Sequence, residues 1–321
     1  VTRRSAVPPP VTAVLDASSR WLPARLGEVE DLLREQSGSH GELLAEGAGA
    51  TLAAGGKRLR PLLVLLCAGT DGGAQSVRAA AAIELVHMAT LVHDDVLDNA
   101  PLRRGRPTVA ATEGRDRALA VGDLLFSRAF ALLAEHGNTR AISLLTEASA
   151  ALARGELAQR HDAFDTGISE QRYLYRCRLK TAKLFECACR LGHDVDVLGA
   201  FGTEIGLAFQ LLDDVLDISG PPERTGKARG TDLLDGTVTL PLIAAAEVEP
   251  EILDSDLREL NAAAAEVLCD RIAATGALEQ VRSRALAMVA RAKGELDSAD
   301  FDPEQRQLLN LVADGVVQRY S

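Results

Sequence analysis

Residues 83–98 read IELVHMATLVHDDVLD, and residues 209–217 read FQLLDDVLD. Both are apolar runs that end in the same pentapeptide, Asp-Asp-Val-Leu-Asp, at 94–98 and 213–217. Across 75–98 and 195–218 the apolar residues return every three or four positions, the period of an α-helix. The same period over 115–135, 139–163 and 169–191 predicts three more long helices. Shorter helices are predicted over 12–35, 40–53, 60–69, 237–247, 256–273, 277–296 and 303–319, the last opened by Asp302 as cap and Pro303 in the first turn. Gly55-Gly56, Asn99 to Pro107, Gly220-Pro221-Pro222 and Glu249-Pro250 interrupt the pattern and read as loops. Runs of β-branched residues are short, so the fold class is all-α. No sequence period of a solenoid is present.

On a helix, Asp94 and Asp98 lie one turn apart on one face with Asp95 beside them, and Asp213, Asp214 and Asp217 repeat the arrangement. Three negative charges at the C-terminal end of a helix oppose the macrodipole, so each cluster needs compensation. One copy alone reads best as a solvated helix end. Two identical copies, each closing an apolar helix, fit paired sites for a hard cation such as Mg²⁺ that also takes water and phosphate oxygens.

The chain of 321 residues is 47% hydrophobic and has a net charge of -11. That balance fits one large helical domain over 1–321, with 1–11 expected to be flexible. It argues against nucleic acid and against general binding to anionic lipid, both of which need a basic surface. VTRRSAVPPPVTAV does not read as a secretory signal. Apolar stretches such as Pro61 to Ala68 are far shorter than the roughly 20 residues of a membrane span. The five cysteines form no CxxC pair, as in reduced thiols of a cytoplasmic protein.

Against this acidic background, three predicted loops are basic: GGKRLRP at 55–61, LRRGRP at 102–107 and GKARG at 226–230. Each alone reads as a solvated surface segment. The second follows Asp98 and the third follows Asp217 within a loop length, and that placement points to phosphate: lysine and arginine grip its oxygens, and glycine lets the backbone approach.

With these segments the sequence resembles the trans-type polyprenyl diphosphate synthases of the medium- and long-chain type. The resemblance rests on GGKRLRP at 55–61, HMATLVHDDVLDNAPLRRGRPT at 87–108, GDLLF at 122–126, GELAQ at 155–159, KTAKLF at 180–185, FQLLDDVLDISG at 209–220 and GKARGTD at 226–232, in order from about 50 to 245. It implies an antiparallel helix bundle around a deep central cavity, a homodimer, and Mg²⁺, three ions per site with substrate bound. It implies Asp94, Asp98 and Asp213 as main metal ligands, supported by Asp95, Asp214 and Asp217. Arg103, Lys180 and Lys227 match positions that hold the allylic diphosphate; Lys57, Arg60, His87 and Arg104 match those that hold isopentenyl diphosphate. Thr181 and Gln210 match groups beside the developing carbocation, although both also fit as helix-interior polar residues. His93 reads as core or as support for the site. The segment Gly236-Thr237-Val238-Thr239-Leu240-Pro241 departs from the family, with Thr237 where many members carry lysine.

The implied reaction is ionisation of a C10–C20 allylic diphosphate, attack by isopentenyl diphosphate, and proton loss to give a linear product. Val86, Ala89 and Thr90 lie eight, five and four residues before Asp94, on the turns leading down from the metals. In the family, bulky aromatics at the latter two positions close the cavity. Their absence implies an open tunnel stopped deeper, near Phe126 or Phe130, and products of C30–C50. A C20 (geranylgeranyl) product and a non-catalytic subunit of a heteromeric synthase are the alternatives. A terpene cyclase is disfavoured by the second DDxxD and an aromatic content of 3%. A long apolar product implies peripheral membrane contact on release.

Overall fold

The computed structural model describes residues 14, 17, 18, 20–220 and 229–318. The expected flexible segment 1–11 lies outside them. The chain is all-α, as its periodicity requires. The α-helices whose bounds lie among the described residues are α1 (Leu22–Gly38), α2 (Glu42–Ala53), α3 (Leu59–Ala68), α4 (Gly73–Leu97), α5 (Val109–Glu113), α6 (Arg115–Ala134), α7 (Thr139–His161), α8 (Glu170–Cys177), α9 (Lys183–Gly192), α10 (Asp196–Ser219), α11 (Thr231–Leu234), α12 (Leu240–Val248), α13 (Ala262–Ala274), α14 (Ala277–Asp297) and α15 (Pro303–Gln318).

Three predicted elements differ. Of the predicted 12–35 helix, α1 begins at Leu22, with Pro23 in its first turn, where a fixed φ favours starting a helix; most of 12–19 lies outside the described residues. The 169–191 helix is interrupted by a π-helical turn over Arg178–Ala182, between α8 and α9. The 256–273 helix shortens to α13, capped by Asn261, whose side chain accepts from the Ala264 backbone N–H at 3.0 Å.

By packing, the described residues form two compact units: one from those within 14–149, 187–199 and 301–312, the other from those within 150–186, 200–220, 229–300 and 313–318. In the first, α4 packs along α6 and against α3 and α1. Ala79 to Val86 of α4 are all buried, including Glu84, as are Val121, Leu125 and Ala129 of α6. Gly122 of α6 leaves room for the His93 ring: a Cβ there would lie 2.1 Å from His93 Nε2.

In the second unit, α12 packs on α14, which also meets α13, and α8 runs into the π turn. Gly202 and Gly206, one turn apart on α10, bring that helix against the π turn and α9. A Cβ on Gly202 would lie 2.7 Å from the Phe185 carbonyl oxygen, and one on Gly206 2.7 Å from Ala182 Cα. Continuing along the same side, Gln210 and Asp214 follow at the next two turns. The glycines therefore set how near Gln210 comes to Thr181.

All five cysteines are buried thiols. Among the described residues no helix is long and apolar enough to cross a membrane.

Gly206→Ala should destabilise the protein by about 1–3 kcal/mol, because backbone has to move to admit the methyl group. Urea unfolding would check it; an unchanged midpoint would show that α10 can withdraw without cost.

Candidate active site

In the first unit the site is built on loop 55–61 and the C-terminal end of α4. Arg58, the residue before α3, has φ 47°, the left-handed region that costs an L-residue roughly 1–2 kcal/mol. Two carboxylates hold it there: Nε donates to Glu30 Oε1 at 2.5 Å and Nη1 to Glu84 Oε1 at 2.8 Å. Burial lowers the Arg58 pKa, but the Glu30 hydrogen bond and both carboxylate charges more than offset it, leaving it raised.

Residues 99–107, expected as a loop, contain a two-stranded hairpin, β1 (Leu102–Arg103) and β2 (Arg106–Pro107), with Leu102 opposite Pro107 and Arg103 opposite Arg106. Its two turn residues, Arg104 and Gly105, both have positive φ, 53° and 73°, the signature of the tight turn that matches strand twist. An arginine is an uncommon first turn residue. Here its guanidinium donates to the Gly55 carbonyl and so ties the two basic loops together.

His87 follows Glu84 by one turn on α4 and is part-buried among these groups. Its pKa falls well below the usual value, first through lost hydration and then through the charges of Arg60, Arg104, Arg103 and Arg58. The imidazole is therefore neutral at pH 7. Burial also brings Arg60 down to about 10, with Glu84 acting against the fall, so it stays protonated. Lys57 stands exposed beside them. The structure thus brings Arg60, His87, Arg103 and Arg104 into one field of positive charge.

At the end of α4, Asn99 takes φ 48° and terminates the helix. The three aspartates have different fates. Asp95 is buried and accepts from Arg103 Nε at 2.7 Å, which answers part of the charge repulsion. Asp94 is half-buried and Asp98 exposed.

In the second unit, Lys180 and Thr181 sit in the π turn, and such turns often mark functional sites. Lys180 Nζ pairs with Glu156 Oε2 of the GELAQ segment at 2.5 Å. Thr181 Oγ1 donates to Gln210 Oε1 at 2.7 Å, Gln210 Nε2 donates to Asp214 Oδ1 at 2.7 Å, and Tyr173 Oη donates to Asp214 Oδ2 at 2.5 Å. Burial, with added repulsion from Asp213 and Asp217, pushes Asp214 up to about 7, while the Tyr173 and Gln210 hydrogen bonds pull it down. Asp213 is exposed. Asp217 is half-buried and accepts from the Asp232 backbone N–H at 3.1 Å, at the start of α11. Lys227 lies outside the described residues. Thr237, the departure from the family pattern, donates its backbone N–H to the Asp232 carbonyl at 2.7 Å.

These donor sets fit a hard cation. Asp94 with Asp98, and Asp213, offer carboxylate oxygens at solvent-facing helix ends, the kind of ligand Mg²⁺ takes along with water and phosphate. Among the described residues no three carboxylate, imidazole or thiol groups are already drawn together as a cage.

The sequence matches the family model described as Polyprenyl synthetase over residues 42–270. The chain belongs to the polyprenyl synthetase family. It is accordingly an enzyme, a chain-elongating trans-type prenyltransferase. A curated relative, heptaprenyl diphosphate synthase component 2 of Geobacillus stearothermophilus, is 42% identical over 241 residues, which are 72% of this chain and 75% of that one. A decaprenyl diphosphate synthase structure from Rhodobacter capsulatus is 34% identical with a TM-score of 0.86, covering 97% of this chain and 99% of the other. A polyprenyl synthase structure from Caulobacter crescentus CB15, complexed with calcium and isoprenyl diphosphate, is 32% identical with a TM-score of 0.88, covering 99% and 100%.

In this polyprenyl synthetase, sequence reasoning missed Arg58, Glu84, Glu156 and Tyr173, which hold candidate ligands in place. Of the residues placed on the chain-length wall, Val86 and Ala89 are fully buried, and Thr90, half-buried, returns its hydroxyl to the His87 carbonyl at 2.7 Å.

Two outcomes are expected. Arg58→Ala leaves Glu84, only 4% exposed in its side chain, without its guanidinium, and should cost about 3–5 kcal/mol by urea unfolding. For His87, the folded-state pKa lies below the unfolded value of about 6.5, so the unfolded chain takes up the proton first. Its contribution is present above that pH and is lost on acidification below it. His87→Asn should flatten the fall in unfolding midpoint as the pH drops below about 6.5; parallel curves for the two proteins would refute the neutral-imidazole reading.

Proposed function

We propose that this polyprenyl synthetase condenses a C10–C20 allylic diphosphate with isopentenyl diphosphate, in the presence of Mg²⁺, to a linear polyprenyl diphosphate of C30–C50. The observation that carries the reading is the field of arginines around a neutral His87 beside the acidic end of α4: cationic groups for a diphosphate next to oxygen ligands for a metal. Lys57, Arg60, His87 and Arg104 hold isopentenyl diphosphate; Arg103, Lys180 and Lys227 hold the allylic diphosphate. Asp94, Asp98 and Asp213 are the metal ligands. Asp95, Asp214 and Asp217, engaged with protein donors, support them from behind.

When bound, the metal neutralises charge that builds on the diphosphate leaving group. The chain's own residues do the rest. Arginine and lysine side chains fix both diphosphates so that the isopentenyl double bond faces the allylic carbon. Oxygen dipoles of Thr181 and Gln210 face the positive charge as the C–O bond breaks. An apolar surround keeps water from the cation, and the released diphosphate takes the proton lost from the condensed product.

Small residues at 89 and 90 favour long products, and heptaprenyl and decaprenyl synthases stand among the similar proteins. With Val86 and Ala89 locked in packing, Thr90 is the wall residue most open to the growing chain. A second reading comes from the Geobacillus relative, named as one component of a synthase: this chain would then work with a partner subunit, in place of the homodimer.

Purified protein with Mg²⁺, labelled isopentenyl diphosphate and C10, C15 or C20 primers should give linear C30–C50 products by mass spectrometry. Asp94→Ala or Asp213→Ala should lower turnover at least about 100-fold. C20 as the sole product would overturn the chain-length argument. No elongation with any primer would sink the stand-alone reading in favour of a missing partner.

A further inference from the structure

We infer that Tyr173 is a positioning residue for the condensation: through Asp214 it fixes which way the Gln210 amide faces, and through Gln210 the direction of the Thr181 hydroxyl. The inference rests on the reading that Thr181 and Gln210 border the allylic cation, and extends it to a residue with no contact to substrate.

Hydrogen-bond chemistry leaves this chain of four residues a single polarity. Tyr173 is 1% exposed, and its phenol has a single proton to give. That proton goes to Asp214 Oδ2. The Asp214 carboxylate accepts at both oxygens, and Gln210 turns its NH₂ to Oδ1, 2.7 Å away. The amide oxygen then faces Thr181, which donates to it. Ordinarily an amide's O and N are hard to tell apart, but here the carboxylate at the end of the chain settles them. The outcome is that two oxygens, the Gln210 carbonyl and the Thr181 hydroxyl, turn lone pairs to the place where positive charge develops. Were the amide reversed, its N–H groups would point there and oppose ionisation.

The surroundings keep Tyr173 in place. The Arg176 guanidinium lies over its ring, 5.7 Å from the centroid, and itself donates to the Val238 carbonyl. The close approach at Gly202 and Gly206 keeps α10 near enough for both side-chain bonds. Asp214 thus spends both oxygens on protein donors, a different task from that of its neighbour Asp213, which is exposed.

Tyr173→Phe removes one oxygen and keeps the ring under Arg176. We expect kcat to fall about 10- to 100-fold, with KM for both diphosphates and the Mg²⁺ midpoint within about threefold of wild type. More allylic diphosphate should be lost to water: its C–O bond breaks, water adds at the carbon and loses a proton, and the alcohol and diphosphate are released without condensation. In a Gln210→Ala background the same substitution should change kcat little, since the group it orients has gone. An unchanged kcat, or an equal loss in both backgrounds, would overturn the inference and leave Tyr173 a packing residue. Should Tyr173→Phe fail to fold, Asp214→Asn serves: its amide must face one of the two donors with NH₂, so alcohol release should rise. A weaker Mg²⁺ response with no rise would overturn the inference. A wild-type enzyme that elongates no primer would instead refute the underlying reading.

Discussion

Arg58 and Glu84 form a buried ion pair, and the basic part of the first unit depends on it. Several guanidiniums held near one imidazole repel one another, and water screens them little where they are part-buried. Glu84, inside α4 and one turn before His87, supplies the opposing charge: it bonds Arg58 directly and acts on Arg60 through space. The pair also holds Arg58 in a left-handed conformation, which directs the chain into α3 and carries Lys57 and Arg60 with it. Removing Glu84 would leave the cations unbalanced; removing Arg58 would strand a buried carboxylate.

The second unit applies the same logic with the signs arranged differently. Its buried carboxylate is Asp214, held by two donors and serving to orient an amide and a hydroxyl. The two identical pentapeptides therefore divide alike. In each, the middle aspartate is buried, Asp95 at 5% exposure and Asp214 at 2%, while its predecessor keeps access to solvent. Helix geometry produces that split, because adjacent residues are turned about 100° apart. The partners differ because the surroundings differ: Arg103 returns from the hairpin to meet Asp95, whereas Tyr173 reaches Asp214 from α8.

Much of this was legible in the chain. The helical period placed α4, α6, α7 and α10 to within a few residues, and the repeated DDVLD with its basic neighbours marked candidate sites. Residues that act through a second residue were not legible. In GGKRLRP nothing distinguishes Arg58 from Lys57 or Arg60, since the distinction lies in Glu30 and Glu84, 28 and 26 residues away. Tyr173 looks like an ordinary core aromatic until α10 is packed beside it. The π turn at 178–182 left no mark on the periodicity, because one inserted residue only rotates the next helix about its axis. The hairpin at 102–107 was hidden because arginine is a rare first turn residue, acceptable here only through its bond to Gly55.

The small number of aromatic residues also fits the proposed chemistry. Enzymes that steady a series of cations can use aromatic faces for it. In the second unit, Phe185 and Phe209 pack with centroids 5.5 Å apart and planes tilted by 41°. Phe185 has no exposed surface, so its ring is spent on holding α9 to α10. On the proposed reading, a single condensation forms one allylic cation beside its own diphosphate, and the next double bond quenches it. Two fixed oxygen dipoles are suited to so brief a charge. What they require is direction, and the buried carboxylate behind them supplies it.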